Sequence, residues 1–402
     1  MLLHAPLAEM KKRSLVAPAS SAFAFVFTMG IVNLFGDMTY EGGAGINGPF
    51  LGALGASAAA ISIIAGFGEF LGYSLRSVAG WIADRTGKYW PVTFVGYTIN
   101  LLAVPAMAFA GSWKTAGALI FAERIGRAIR KPTVEAMLSY STGKLGKGWV
   151  YALNTALDEA GATVGPLLIA LALYHKVSFR MSYKLLLIPA VLTLLCVTVA
   201  RLIFPVPSRL EEKGARTAQA KGFTSAFWLY MVAAACFGAG LMSFEFVSYH
   251  LSSKGTVTEQ WIPLFLAAAT AVGVVASLVL GRLYDRFGLP VLLAAVFVAA
   301  LFSPFVFLGG FAVALFGLLL WGVGYAVQDT LLKAIVATVL PEGKRNFAFG
   351  LFYTGYGGGW LIGSMTAGLL YRHSIPAVIG FSIAVQITSI PIFVMAHRKR
   401  LS

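Results

Sequence analysis

Long apolar runs separated by short polar breaks follow one another along nearly the whole chain. Each run is close to the roughly 20 residues that a helix needs to cross a bilayer. The runs and breaks predict twelve spans, near residues 20–42, 56–83, 90–111, 114–140, 147–173, 184–205, 223–251, 260–284, 290–309, 310–339, 345–371 and 374–396. The least distinct break is the Gly309-Gly310 pair, which leaves eleven or thirteen spans as alternatives. The pattern predicts an all-α polytopic membrane protein.

The composition supports this class. The chain has 402 residues, of which 58% are hydrophobic and only 12% are charged, whereas soluble domains have about 25% charged residues. Both cysteines, Cys196 and Cys236, lie inside predicted spans and are read as small apolar residues. The basic and then apolar N-terminus resembles a secretory signal, but the apolar stretch continues to Leu34, so an uncleaved first span is favoured.

The net charge of +15 is distributed unevenly along the chain. With twelve spans and an internal N-terminus, the cytoplasmic segments hold 19 of the 31 Lys and Arg residues, the external segments hold six, and six lie inside spans. An excess of Lys and Arg in cytoplasmic loops sets the orientation of membrane proteins. We therefore expect both termini in the cytoplasm, a multi-pass location in the cell (inner) membrane, and no nucleic-acid partner.

The chain divides into two similar halves. A polar segment at 205–222 is predicted to be a cytoplasmic linker between six-helix halves at residues 1–204 and 223–402. The stretch GWIADRTGKY at 80–89 matches GRLYDRFGLP at 281–290. The shared positions are Gly80, Asp84, Arg85 and Gly87 in the first copy and Gly281, Asp285, Arg286 and Gly288 in the second. Glycine permits a tight turn, and an adjacent Asp and Arg can bond to helix ends, so two copies favour a gating role over a plain interfacial turn.

Twelve spans, a central linker and this loop in both halves resemble the major facilitator superfamily, whose loop signature is matched here by Gly80, Asp84, Arg85, Gly87 and Lys88. Two further family patterns are present. An Arg followed by Gly in span four is matched by Arg124 and Gly126, and a G-x-x-x-G-P run in span five is matched by Gly161, Gly165 and Pro166. The family associates the second pattern with antiporters, and small residues at this spacing also favour close helix packing.

Two departures from the family patterns are visible. The second loop ends in Leu289-Pro290 and lacks the final basic residue, and the span-five run continues as LLIA without further glycines, which weakens the antiport assignment. The resemblance implies secondary transport by alternating access, with a site near the bilayer midplane between the two halves. It names no substrate.

Residues 122–136, AERIGRAIRKPTVEA, carry six charges and could be read as a solvated loop. An offset of 198 aligns them with the apolar helix at 320–334, and on a helix all six charges fall within a sector of about 140°. A charge at the centre of a spanning helix costs about 2.5 to 3.5 kcal/mol, so this face cannot meet lipid. We predict a cationic stripe that faces a cavity, led by Arg124 and Arg127. An end of the helix before Pro132 is the alternative for Arg130 and Lys131.

Ionisable residues in other spans complete the predicted cavity, since such residues inside membranes are functional candidates. Beside Arg124 and Arg127, they are Asp37, Glu41, Glu69, Arg76, Asp158, Glu245 and Asp329. Asp37 and Glu41 are the first choice for a proton or a cation, and the glycines after Glu41 are expected to loosen span one. Glu69 is read as an internal partner of Arg76, and Asp329 as a neighbour that Lys333 could neutralise. For Asp158 and Glu245, the sequence favours a functional role and a structural role equally.

The sequence contains no soluble-enzyme signature, because it lacks a phosphate-binding loop, an H-E-x-x-H motif and paired cysteine ligands. We expect a transporter, not an enzyme, with no cofactor and no metal. The leading hypothesis is proton-coupled export, by antiport, of a small organic solute with an anionic or zwitterionic group. A symporter or facilitator that imports a metabolite is the alternative, and a membrane-embedded receptor or enzyme is less favoured. The expected partners are the lipid bilayer, the solute and protons, and the expected state is a monomer.

Overall fold

The computed structural model describes residues 19–141, 147–207, 223–337, 339 and 345–401, in which the regular structure is helical and no strand occurs. Twelve successive spans match the predicted ones in order. They are α1 (Ala19–Ala53), α2 (Ala58–Thr86), α3 (Tyr89–Ala106), α4 (Trp113–Ser139), α5 (Lys147–Tyr174), α6 (Phe179–Leu185 and Leu187–Ile203), α7 (Ser225–Leu241 and Phe244–Ser253), α8 (Ile262–Phe287), α9 (Leu289–Ala300 and Phe302–Leu308), α10 (Phe311–Ala326, then the π-helical Val327–Leu331 and Leu332–Ala337), α11 (Arg345–Tyr371) and α12 (Ile375–Leu401).

The fold class predicted from the apolar runs is confirmed. Within the described ranges, ten of the helices are long and apolar enough to cross a membrane, and the break at Gly309-Gly310 separates α9 from α10. The other two, α4 and α11, have a mean hydropathy below that of a typical membrane-spanning helix. Charges lower the hydropathy of α4, and glycine and tyrosine lower that of α11.

The expectation that glycines would loosen span one is wrong. Helix α1 continues through the Gly-rich stretch to Ala53. Its glycines serve close packing instead, because a methyl group on Gly48 would collide with the backbone carbonyl of Glu245, and one on Gly42 would lie 2.9 Å from Leu186. These glycines let α7 and α6 approach the α1 backbone closely.

Glycines join α1 to α5 and α7 to α11 in the same manner. Gly161 and Gly165 of α5 face the backbone carbonyls of Leu34 and Met38, one turn apart on α1. In the second half, Gly359 and Gly363 of α11 face the backbone carbonyls of Ala235 and Ala239, one turn apart on α7. The glycine pairs are separated by 198 residues and their partners by 201, so the internal repeat is visible in the packing. These contacts hold α5 against α1 and α11 against α7.

The two repeated loops are shorter than the sequence suggested. Gly80 and Gly281 lie inside α2 and α8, and each helix ends in a glycine with left-handed φ, 65° at Gly87 and 69° at Gly288. Arg85 lies over the ring of Trp81 at 5.2 Å, and Arg286 over Phe287 at 5.1 Å. Asp285 lies in the last turn of α8. The side chain of Asp84 and the linker residues 208–222 lie outside the described part of the chain.

Candidate functional site

Arg124 on α4 is the centre of a buried group of charges. Its Nη1 lies 2.8 Å from Oε1 of Glu69 on α2, its Nη2 lies 3.0 Å from Oε1 of Glu245 on α7, and its Nε lies 3.3 Å from Oε2 of Glu123. Arg124 itself is 7% exposed. The planar guanidinium can meet several carboxylates at once. One side chain therefore bonds an acid of the first half and an acid of the second half.

Helix α7 is interrupted between Leu241 and Phe244, just before Glu245. The first segment ends at Met242, which has φ of 59°, and Ser243 starts the second segment, where its Oγ accepts a hydrogen bond from the amide of Phe246. Trp321 Nε1 donates to the carbonyls of Leu241 and Met242, each at 3.0 Å, which satisfies two acceptors at the break. Glu245 thus lies in the first turn of a half-helix, where the helix dipole favours a negative charge. The predicted span near 223–251 is confirmed, and within it the helix is interrupted at Met242.

Arg127 extends the group along the same face of α4. Its Nη2 lies 3.4 Å from Glu69 and its Nε lies 3.7 Å from Glu123. The guanidinium also lies 4.8 Å from the centre of the Tyr40 ring on α1. Glu41, the next residue of α1, lies near these acids and Arg127 but makes no ion pair within 4.0 Å among the described residues.

Arg130 belongs to the interior and does not mark a membrane edge. Helix α4 continues through Pro132 to Ser139, and Arg130 is 4% exposed, so the alternative of an end before Pro132 is wrong. Arg130 Nη2 lies 3.4 Å from Asp37, and its guanidinium covers the ring of Tyr97 at 4.6 Å. Its Nε donates to Asn100 Oδ1 at 3.1 Å. We name the residues Asp37, Glu41, Glu69, Glu123, Arg124, Arg127, Arg130 and Glu245 the charge network.

Asn100 on α3 connects the two parts of the charge network. While its Oδ1 accepts from Arg130, its Nδ2 donates to Glu123 Oε1 at 2.9 Å and to the Glu123 carbonyl at 3.1 Å. This approach depends on Gly96 and Gly126, because a methyl group on Gly126 would collide with the backbone of Asn100. The Arg-x-Gly pattern in span four therefore has a local cause, since the glycine admits α3 beside the arginines.

A chain of hydrogen bonds leads from Arg130 to α5. Arg130 Nη1 donates to the Tyr97 hydroxyl at 3.3 Å, Tyr97 donates to Asn33 Oδ1 at 2.7 Å, and Asn33 Nδ2 donates to Asn154 Oδ1 at 2.9 Å. Asp158, one turn after Asn154, is an electrostatic neighbour of Asp37. Polar groups from four helices thus converge at Asp37.

A second polar group surrounds the amide of Gln328, in the π-helical segment of α10. Gln328 Nε2 donates to the Tyr73 hydroxyl at 2.7 Å, and the Tyr356 hydroxyl donates to Gln328 Oε1 at 2.7 Å. The rings of Tyr73 and Tyr353 stack at 5.5 Å, and Tyr356 packs against Trp360 at 5.9 Å. We name Tyr73, Gln328, Tyr353, Tyr356 and Trp360 the aromatic cluster. It joins α2 of the first half to α10 and α11 of the second.

The structure corrects one predicted pairing, that of Glu69 with Arg76, and confirms another, that of Asp329 with Lys333. Glu69 bonds to Arg124 and Arg127, not to Arg76, whose guanidinium lies over the Tyr73 ring at 4.8 Å. The spacing of Glu69 and Arg76 puts them on one face, but the α4 arginines are closer. Asp329 pairs with Lys333 at 3.6 Å, and both side chains are about half exposed, at 53% and 51%. Asp329 therefore lies outside the charge network.

Of the predicted cavity residues, the structure brings together Asp37, Glu41, Glu69, Arg124, Arg127 and Glu245, with Asp158 beside Asp37. It adds Glu123, Arg130 and Gln328, which were not among the predicted cavity residues, and Asn100 and Tyr97, which the sequence did not single out. Glu123 and Arg130 were visible as members of the charged arc. Nothing in the sequence marks the asparagine and tyrosine that orient them.

The fold and the sequence place this chain in a class of membrane transporters. The sequence profile of the Major Facilitator Superfamily matches residues 19–364, and the chain belongs to this family. Similar proteins include an uncharacterized protein of Mycobacterium tuberculosis, 31% identical over 380 residues that cover 93% of each chain. An uncharacterized MFS-type transporter of Methanocaldococcus jannaschii is 27% identical over 367 residues, which cover 87% of this chain and 89% of that one.

Solved structures share the fold at low identity. A crystal structure of the peptide transporter POT with sulfate has a TM-score of 0.73 and 13% identity, covering 93% of this chain and 94% of that one. The nucleoside transporter NupG has a TM-score of 0.69 and 13% identity, covering 94% and 98%. A bacterial homologue of the iron transporter ferroportin has a TM-score of 0.67 and 15% identity, covering 93% and 98%. These proteins have different substrates, so the shared fold does not specify what this chain carries.

Proposed function

We propose that this chain is a proton-coupled secondary transporter that exchanges protons for a small organic solute by alternating access. The observation that carries this proposal is the position of Arg124, which holds Glu69 of the first half and Glu245 of the second half at the same time. A change in charge at Glu245 alters a bond between the halves. That is the kind of contact whose making and breaking can bias a two-state rocking equilibrium.

The charge balance of the network supports proton coupling. Five of its members are acids and three are arginines, so two carboxylates lack a cation when all are ionised. An unpaired charge in a low-dielectric interior is costly. Two positive charges are needed to balance the group, and they can come from protons or from a cationic group of the solute. Competition between the two for the same carboxylates produces antiport.

The same contacts bear on the charge of the solute. Arg124, Arg127 and Arg130 each have a carboxylate within 3.4 Å. An anionic group would bind a guanidinium only after a glutamate or aspartate had left it, whereas an ammonium group finds carboxylates in excess. We propose a solute with a positive group, and a zwitterion among those expected from the sequence satisfies this condition. Its carboxylate would take the place of Glu245 on Arg124.

The distribution of Lys and Arg supports the orientation. With 19 basic residues in the segments on one face and six on the other, both termini are proposed to lie in the cytoplasm and the protein in the inner membrane. A reporter fused to the C-terminus should be accessible only from the cytoplasmic side. Labelling from outside intact cells would reject the proposed orientation.

The experiment that tests coupling uses the purified protein in liposomes with a pH-sensitive dye in the lumen. At zero pH gradient, an external amine or amino acid that is a substrate should drive protons out and raise the lumenal pH. Protein-free vesicles correct for amines that cross as free bases. A fall in pH would show symport, solute entry without a pH change would show facilitation, and either result would contradict exchange.

Matched variants assign the flux to the charge network. Glu245→Gln should abolish solute-dependent proton movement, because the amide keeps the shape and cannot change charge. Glu259→Gln removes a carboxylate from the exposed start of the segment before α8 and should leave the flux unchanged. Equal loss in both variants would mean that net charge, not the Arg124 contact, is responsible.

A further inference from the structure

We propose that the aromatic cluster binds the planar part of the transported solute, and that the solute joins a conjugated ring with a hydrogen-bond acceptor to a protonated amine. The amine end rests on the proposed function, since it would meet the excess carboxylates of the charge network. The ring end rests on separate observations around Tyr73, Gln328 and Trp360.

One face of α2 connects the two binding regions. Glu69 belongs to the charge network, Tyr73 to the aromatic cluster, and Arg76 follows on the same face. At 1.5 Å of rise per residue, Glu69 and Tyr73 are about 6 Å apart along the helix, and Glu69 and Arg76 about 10 Å. A molecule of the size of a substituted aryl amine can contact both regions at once.

Several buried polar atoms near the aromatic cluster make no hydrogen bond among the described residues. They include the donors Trp360 Nε1 and Arg76 Nε. A buried donor without an acceptor is costly, and native proteins leave few of them. A carbonyl or ring nitrogen of a bound molecule would satisfy Trp360 Nε1, so the chemistry calls for an acceptor beside the indole.

The charge of Arg76 sets the direction of the solute. Its guanidinium lies 4.8 Å from the centre of the Tyr73 ring and occupies that aromatic face with a positive charge. An ammonium group of the solute is repelled by Arg76 and attracted by Glu69 and Glu245. The flat, uncharged end is left to pack against Tyr353 and Tyr356.

The cluster differs from simple apolar packing. An amide held between two hydroxyls, as Gln328 is held between Tyr73 and Tyr356, has no packing advantage over a leucine inside a membrane protein. The amide is also presented by the π-helical segment Val327–Leu331, a local distortion that is frequent at functional sites. Since Tyr73 lies in the first half and Gln328 in the second, a solute bound here contacts both halves.

Three related amines test the proposal by calorimetric binding to the purified protein. Kynuramine has an aryl ketone and a primary amine, 2-phenylethylamine lacks the ketone, and 2-cyclohexylethylamine lacks the aromatic ring as well. We expect each loss to weaken binding about tenfold, the factor for one hydrogen bond or one aromatic contact. Equal affinities, or no binding of any of the three, would overturn the proposal.

Variants separate the two contributions. Trp360→Phe keeps a ring and removes the donor, so it should abolish the preference for kynuramine over 2-phenylethylamine and preserve the preference for phenyl over cyclohexyl. Tyr353→Leu should do the reverse. Tyr174→Leu, at a tyrosine that is 66% exposed, should change neither preference. A Trp360→Phe protein that still prefers the ketone would refute the role of the indole.

The outcome is independent of coupling. Selective binding without solute-driven proton flux would contradict the proposed exchange and support the aromatic site. Coupled flux of solutes with no preference for an aromatic acceptor would support the exchange and contradict the aromatic site.

Discussion

The ion pairs of Arg124 predict an asymmetric response to removal of the two partners. Glu245 has Arg124 as its ion-pair partner at 3.0 Å, and no other cation lies within 4.0 Å of it among the described residues. Arg124 also holds Glu69 at 2.8 Å and Glu123 at 3.3 Å. Removal of the arginine leaves a buried carboxylate without a cation, whereas removal of the carboxylate leaves an arginine that still has two partners.

The expected magnitudes follow from this difference. Arg124→Gln should lower the free energy of unfolding by about 3 to 5 kcal/mol, which is the usual cost of removing one partner of a buried ion pair and leaving the other charge unpaired. Glu245→Gln should lower it by about 1 to 2 kcal/mol, the loss of one charge-assisted hydrogen bond. In the double variant Glu69 retains Arg127 at 3.4 Å, so its cost should be well below the sum of the two single costs.

The measurement is equilibrium unfolding of the four proteins in mixed micelles at pH 8 and again at pH 5. The deficit of Arg124→Gln should shrink at the lower pH, because a protonated Glu245 no longer needs a cation. Single costs that are equal and additive, or a deficit that grows as the pH falls, would refute the reasoning. Solute uptake by Arg124→Gln is expected to be lost under both conditions.

Three further predictions concern packing, backbone and exposed charge. Gly363→Ala should reduce the yield of folded protein, since its methyl group would collide with the Ala239 carbonyl, while Gly380→Ala, with nothing within 4 Å, should leave the yield unchanged; equal yields would reject the packing role. Gly87→Ala should cost about 1 kcal/mol of unfolding free energy from its left-handed φ alone, as no atom lies within 4 Å of the added methyl, and a neutral result would show that the turn adapts. Asp329→Asn, at a half-exposed pair, should change stability by less than about 1 kcal/mol and preserve transport, whereas loss of transport would extend the charge network to α10.

The order of the spans and the charged face of α4 could be read from the sequence, because apolar length and the 100° step between residues act within one helix. The partners on other helices could not. Glu69 shares a face of α2 with Arg76, yet it pairs with Arg124 of α4. The packing of α2 against α4 decides which arginine lies nearest to Glu69, and that packing cannot be read from one helix alone. The break in α7 has a local signal in the sequence, because Ser243 followed by Glu245 in the first turn is typical of a helix N-terminus. The π-helical distortion at Gln328 has no such signal.

The charges that give α4 its place at the centre also affect how the chain enters the membrane. A helix with this many ionised groups has too little apolar surface to partition into lipid alone, and α4 is one of two described helices that fall below the hydropathy of a spanning segment. Its acids and bases find their partners within α4 and on α1, α2, α3 and α7. We therefore expect α4 to reach its final place only after Glu245, more than a hundred residues later, has been made, so that topology and tertiary assembly are completed together.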